Sequence, residues 1–344
     1  MISDKVSVLM GVYNSELYLK EAIDSILSQS FKDFKFVIIN DGSTDDSEQI
    51  ILSYNDVRII YLKNSENIGI GRTVRKGMEM IHSKYVIRVD SDDISYPERF
   101  ATQIDFMDRH PEIAVAGTHF DVIWGEYRSS ELTETPLEIR TRALFECPII
   151  QPSIIINNDF LRKHNLNYDF RFEVAGDYGL FMDTLMFGDL AIIPKKLMAY
   201  RKHKGQLSST KYTLQDENST TKRIEILSKL GGAIFNKRER TLYMQYSFHR
   251  KLEKTSDFLE IKILLKKIRN IYFKQNLYLL DKKYYLKLEY ERLEILFIEN
   301  KIHGFSLLRE YLVLYGFDFR IFLFLGLSLR VLKYTFLHGK AKSG

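Results

Sequence analysis

The sequence predicts an α/β fold, a mostly parallel central sheet flanked by helices, with an α-helical C-terminal extension. Three observations carry that reading. Short apolar runs alternate with stretches of helical periodicity through the first third of the chain, the pattern of successive βαβ units. Several of those runs end in polar turns rich in Asn, Asp, Gly and Ser. From about Thr213 the strand signals stop, and Leu, Ile, Lys, Glu and Tyr recur at helical spacing nearly to the end.

The elements follow in order. Val6 to Val12, closed by Tyr13-Asn14, reads as a buried first strand. Leu17 to Ser28 carries Leu19, Ala22, Ile23, Ile26 and Leu27 at helical spacing. Phe34 to Asn40 is a second strand, halted by Asp41-Gly42-Ser43-Thr44-Asp45, which offers a turn and an N-cap for the helix through Ile50-Ile51-Leu52. Arg58 to Leu62 is a third strand. Asn64 to Gly71 is a loop, and Thr73 to His82 a helix. Tyr85 to Val89 is a short buried strand that runs into Asp90-Ser91-Asp92-Asp93. A helix from Pro97 to about Arg109 and a strand at 114–117 follow.

In a parallel sheet the loops after successive strands gather at one edge, where ligands bind in open α/β folds. That brings Tyr13, Asp41, Asn67 and the pair Asp90/Asp92 together. Hard divalent cations take oxygen ligands, and Mg²⁺ commonly uses one or two carboxylates and completes its shell with phosphate and water. Asp90 and Asp92, two apart, are expected to point the same way in an extended segment, with Asp93 pointing elsewhere. The arrangement reads as a nucleotide pocket with a metal and a diphosphate; the plainer alternative is a solvated acidic turn. Gly69-Ile70-Gly71 does not make a dinucleotide fingerprint, and the chain contains no phosphate-binding loop of the Gly-rich, Lys-Ser/Thr type.

Composition narrows the class. The chain of 344 residues is 45% apolar and 28% charged, ordinary for a globular protein with a substantial core. A net charge of +5 is too mild to indicate nucleic acid. A single cysteine, Cys147, excludes an intrachain disulfide framework and suits a reducing compartment. The first residues lack a basic segment before an apolar run, so no secretory signal is expected. No run of about 18 uninterrupted apolar residues occurs, so no transmembrane helix is expected either. A cytoplasmic protein follows, with the inner face of the cytoplasmic membrane as a peripheral location.

Several motifs recur in a specific order: Val-Tyr-Asn at 12–14, Asn-Asp-Gly-Ser-Thr-Asp at 40–45, Asn67-Ile68-Gly69, the run from Arg88 to Arg99, His110-Pro111 and Gly117. On these, residues 5–208 resemble a family 2 glycosyltransferase of the GT-A fold, of the bacterial polysaccharide, capsule and O-antigen type. The resemblance implies a GT-A domain over 1–212, with a donor half at about 1–117 and an acceptor half at about 118–212, and a helical region over 213–344. It implies an inverting, metal-dependent transferase using Mn²⁺ or Mg²⁺. Such an enzyme moves a sugar from a nucleotide-sugar, expected to be UDP-linked, to a glycan or undecaprenyl-diphosphate-linked acceptor. The implied nucleotide-sugar contacts are Tyr13, Asn14, Asp41, Asn67, Arg72, Arg88, Asp90, Ser91 and Arg201; the implied metal ligands are Asp92, Asp90 and His203. Asp177, opening a helix, matches the family's catalytic base, although its neighbour is Gly176 where the family usually has an acid. Gln151 stands where the family often has His. Displacement at an anomeric carbon needs one base for the acceptor hydroxyl, so a single carboxylate suffices when a cation neutralises the leaving diphosphate. Asp177 could instead serve only as a helix cap, and Asp169, Glu173 and Asp183 are nearby competitors.

The last stretch, 315–342, is apolar with Arg320, Arg330, Lys333, Lys340 and Lys342 inserted. Two readings stand equally: a helix lying in the membrane interface, or one packed on its own domain or on a second copy in a homo-oligomer. Two other functions compete. A sugar-phosphate nucleotidyltransferase would carry a Gly-rich basic loop after the first strand, where this chain has Tyr13-Asn14-Ser15-Glu16. A non-catalytic nucleotide-binding scaffold would bind without turnover.

Overall fold

Alternation along the strands sorts the core into two layers. Leu9, Val37, Ile39 and Val86 point into one apolar cluster, while Val8, Met10, Phe36, Ile38 and Ile87 point into a second on the opposite face, as a period of two requires. The computed structural model describes residues 5–123, 135–172, 174–203, 205–206, 210–274 and 280–300. Glu173 and the apolar, basic stretch at 315–342 lie outside them.

Eight strands form one sheet in the order β3-β2-β1-β4-β7-β6-β8-β5. β1 (Val6–Val12), β2 (Lys35–Asn40), β3 (Ile59–Lys63) and β4 (Tyr85–Val89) run parallel. β7 (Ile155–Asn157) then pairs antiparallel with both β4 and β6 (Ile113–Ile123), and β8 (Asp189–Arg201) runs parallel to β6. β5 (Ile94–Ser95) caps the far edge, antiparallel to β8. β6 is longer than the four residues expected. Neither β5 nor β8 has a clear strand signal of its own: β5 is only two residues long, and Pro194-Lys195 breaks the apolar pattern of β8. The register against β6 jumps there, from Thr118 opposite Ile193 to His119 opposite Lys196, a bulge that absorbs the proline.

The helices α1 (Glu16–Leu27), α2 (Ser47–Leu52) and α4 (Arg99–Arg109) cover one face through Ile23, Ile51 and Phe100. α3 (Ile70–Met80), α5 (Pro136–Ala143), α6 (Asn158–Lys163) and α7 (Gly176–Thr184) cover the other through Val74, Ile139, Leu161 and Phe181. α3 lies close on β1, because a Cβ at Gly77 would stand 2.5 Å from a methyl of Leu9. Truncating a core residue such as Ile39 to Ala costs about 2–5 kcal/mol. Four longer helices follow: α8 (Tyr212–Gly231), α9 (Lys237–Ser247), α10 (Thr255–Lys274) and α11 (Lys282–Glu299). They share the core of Leu9, Val37 and Val86 through Ile224, Leu227, Tyr246, Leu265 and Leu293. Among the described residues no helix is long and apolar enough to cross a membrane.

Candidate active site

The register sets which loops meet. Val12 pairs with Asn40, and Asn40 with Lys63, so the turns after β1, β2 and β3 leave the sheet side by side. Asp90 follows Val89, which pairs with Met10, and therefore sits one step deeper in the same edge.

Asp41 is almost fully buried. Its carboxylate accepts from Asn64 Nδ2 at 2.8 Å, the Ile68 amide at 3.1 Å and the Gly69 amide at 2.9 Å. These bonds fold the 64–69 loop back onto β2 and let α3 start at Ile70, three residues earlier than its apolar spacing suggests. Gly42, at φ +71°, passes under that loop; a Cβ would fall 2.7 Å from the Glu66 carbonyl carbon, so only glycine fits. Tyr13 is half exposed. Asn14, in a left-handed conformation (φ 48°), accepts the Thr44 amide at 2.9 Å, which ties the β1 turn to the β2 turn. Asn67 is exposed and accepts the Gly69 amide, and Arg72 stands exposed on the first turn of α3. Ser91 shares a 2.7 Å hydroxyl contact with Ser15.

The acidic cluster departs from the sequence expectation in one respect. The chain turns at Ser91-Asp92 instead of staying extended, so Asp93 swings back. Asp90, Asp92 and Asp93 each offer an oxygen, and the three oxygens lie within 4.8 Å of one another. β5 explains the turn: pairing Ile94 with Ala199 carries the chain across to β8. There Asp93 Oδ1 accepts the Arg201 amide at 2.8 Å, while Asp93 Oδ2 is buried without a hydrogen-bond partner. Burial, and then the like charge of Asp92, push the Asp90 carboxyl up to about 6 against the pull of Arg88. Burial and its two acidic neighbours hold Asp93 well above the usual carboxylate range.

Two buried guanidinium groups lie beneath. Arg88 is fully buried, donates to the carbonyls of Leu9 and Val89, and reaches Asp90 Oδ1 at 3.1 Å. Arg99 donates to the carbonyls of Arg88 (2.8 Å) and Pro152 (2.6 Å) and to Ser95 Oγ (3.0 Å). Burial pulls Arg99 down to about 9, although Asp93 and Asp90 support its charge. Arg201, an implied nucleotide-sugar contact, is also buried. It bonds the Asp92 carbonyl at 2.8 Å and Glu21 at 2.5 Å, and lies over the Tyr18 ring. His203 Nε2 is 2.9 Å from Asp92 Oδ2, with its ring against Tyr18.

Asp177 occupies the first turn of α7, within electrostatic reach of Asp90. Burial raises its carboxyl, while the amides of Tyr178 and of Asp177 itself and the charge of Arg88 oppose that shift. Of its competitors, Asp183 pairs with Lys222 at 2.5 Å and Asp169 is held by Arg171. Gln151 donates to the Tyr168 hydroxyl at 3.2 Å, and burial pushes that phenol up to about 12. Cys147 is exposed, and its thiol lies within electrostatic reach of Asp177. Arg99, Tyr168 and Glu21 were not singled out from sequence. Arg99 ends the quoted acidic run, whereas Tyr168 and Glu21 carry no local signal.

Residues 7–183 match the model of Glycosyl transferase family 2. The chain belongs to this family. It is 30% identical over 233 residues to a glycosyltransferase of Haemophilus influenzae, covering 64% of this chain and 72% of that one. It is 32% identical over 207 residues to a glycosyltransferase of Methanocaldococcus jannaschii, covering 57% and 70%. Among solved structures, TarS 1–349 of S. aureus in complex with UDP-GlcNAc aligns with a TM-score of 0.63 at 17% identity, over 88% of this chain and 93% of that one. A mannosyltransferase of Pyrobaculum calidifontis in complex with GDP-Man and Mn²⁺ aligns with a TM-score of 0.50 at 12% identity, over 88% of each. At such identities the structural likeness speaks to the fold, which is GT-A; the family match makes this glycosyltransferase a transferase enzyme.

Proposed function

We propose that the protein transfers a sugar, with inversion and metal assistance, from a UDP-sugar to a hydroxyl of a glycan or lipid-linked glycan in cell-surface polysaccharide synthesis. The observation that carries the reading is the convergence of Asp90, Asp92 and Asp93 at the sheet edge, with Asp177 near them on α7. Three hard oxygen donors suit Mg²⁺ or Mn²⁺, and the unpartnered Asp93 Oδ2 and raised Asp90 are what a site built for a cation would show. Asp90 and Asp92 would hold the ion, with Asp93 or His203 beside them; bound there, it would neutralise charge on the leaving diphosphate.

The rest falls to the chain's own groups. Tyr13 offers an exposed ring for the nucleobase, with Asp41 fixing the loop beside it. Asp177 takes the acceptor proton: a carboxyl raised by burial is a stronger base than one in water. Arg88 supports the charge of both Asp90 and Asp177 from below. Arg201 holds the Asp92 turn in place through its carbonyl.

Calorimetric titration with UDP and with GDP, each with and without Mn²⁺, tests the donor side. Metal-dependent UDP binding is expected; binding that ignores the metal, or a preference for GDP, rejects the assignment. Product formation from a panel of UDP-sugars then separates an enzyme from a binding scaffold.

A further inference from the structure

The segment that presents Asp177 is clamped from outside the family-matched region. α8 lies wholly beyond residue 183, where that match ends. Four of its side chains nevertheless engage residues 169–183. Asn218 Nδ2 donates to the Val174 carbonyl at 3.0 Å. Arg223 Nε donates to the Tyr178 hydroxyl at 2.7 Å, and that hydroxyl donates to the Ala143 carbonyl at 2.6 Å. Glu225 accepts from Arg171 at 2.9 and 3.1 Å, and Lys222 holds Asp183 at 2.5 Å. Asn218 and Arg223 thus grip the chain on either side of Asp177, three residues before it and one after.

The backbone between those grips needs holding. Ala175 takes a left-handed conformation, φ 61°, without being glycine, a state that persists only where the surroundings enforce it. Arg223 is fully buried, stacks between the rings of Tyr178 and Phe248, and leaves Nη1 without a hydrogen-bond partner. A buried guanidinium kept for packing alone is a costly choice, whereas one that fixes the helix carrying the base has a use for its directional donors.

We propose that α8 is a positioning element for the reaction, with Asn218 and Arg223 as positioning residues that set the reach of Asp177. This rests on Asp177 being the base. It also assigns the helical region a part in turnover that does not require it to touch a substrate.

The test compares Asn218→Ala, Asn218→Asp and Asp177→Asn in the full chain. Asn218 is half-buried, so its variants should fold. Asn218→Asp keeps the size but removes the donor. Both Asn218 variants should lower kcat by about ten- to a hundred-fold, since small misplacements of a reacting group cost that much. The donor KM, metal-dependent UDP affinity and melting temperature should stay close to the parent. Asp177→Asn retaining turnover would remove the base reading itself. If Asp177→Asn is inactive while both Asn218 variants keep parental kcat, the positioning proposal fails and the base reading stands. Equal losses in kcat, UDP affinity and melting temperature would likewise overturn it, as they mark general destabilisation. Arg223→Lys, which loses the Nε donor to Tyr178 within a fully buried stack, should lower kcat and the melting temperature together, so the Asn218 variants decide.

Discussion

On one side of the site, Asp90, Asp92 and Asp93 come from four consecutive positions at the end of one strand; on the other, Asp177 stands on a helix that owes its placement to residues some 40 positions further on. The first arrangement is local. Once β4 ends and β5 pairs with β8, the turn at Ser91-Asp92 brings the three oxygens together, and the buried Arg88 and Arg99 limit their repulsion from below. The second is assembled from distant parts: a left-handed alanine, a buried tyrosine and two donors from α8. A local site is easy to find in a sequence and hard to displace. A site held at long range can be tuned without changing a single group that touches substrate.

The largest expected effect breaks the acidic side. Asp92→Ala should abolish both turnover and metal-dependent UDP binding while circular dichroism stays native, because it removes a proposed ligand; retained activity would reject the metal assignment. Asp177→Asn should break the other side alone. A turnover loss of about 10²–10⁴-fold, the usual contribution of a general base, should appear with UDP affinity unchanged in calorimetry.

Next comes the support beneath the acidic side. Arg99→Met removes donors from the carbonyls of Arg88 and Pro152 and a buried positive charge from beside Asp93 and Asp90. Urea unfolding should show a loss of about 3 kcal/mol or more, unlike a surface pair such as Arg109 with Asp105, where about 0.5 kcal/mol is the ceiling.

A smaller signal lies in pH. Asp90 sits at about 6 in the folded chain against an ordinary value near 3.8, so the folded state binds the proton more tightly than the unfolded one. Its contribution to stability is therefore fully present below about pH 4 and lost as pH rises through 6. Without added metal, the melting temperature should carry a component that falls between about pH 4 and 6. Asp90→Asn should remove that component, and saturating Mn²⁺ should reverse its sign. The smallest change sharpens the contrast: Ala175→Gly relaxes the left-handed residue, and the lost strain and the added chain entropy nearly cancel, within about 1 kcal/mol. Its kcat should still fall by a few-fold if α8 and Ala175 together set the position of Asp177.

Much of this was legible in the chain. Apolar runs such as Val6 to Val12 and Phe34 to Asn40, alternating with helical stretches, predict a parallel sheet, and the run from Arg88 to Arg99 points to its working edge. What the chain alone does not carry has one cause, contacts between distant segments. An extended segment would point Asp93 away from Asp90 and Asp92, and the pairing of β5 with β8 turns it back. The three residues of β7 carry no directional signal, and β7 is antiparallel because it enters from the opposite end between β4 and β6. Arg88 and Arg201, implied as nucleotide-sugar contacts, are both buried, a property that no one-dimensional pattern carries.

The sequence by itself determined the class of fold, the strands that form the parallel half and the acidic turn. Those depend on periodicities of two and 3.6 residues and on turn chemistry, which act between near neighbours. Tertiary structure alone decided that Asp93 joins Asp90 and Asp92, that Asp41 has its oxygens tied to the 64–69 loop, and that α8 holds the segment around Asp177. Each of these is a hydrogen bond, pairing or charge contact between residues far apart in the chain, and its partner exists only once the sheet has closed.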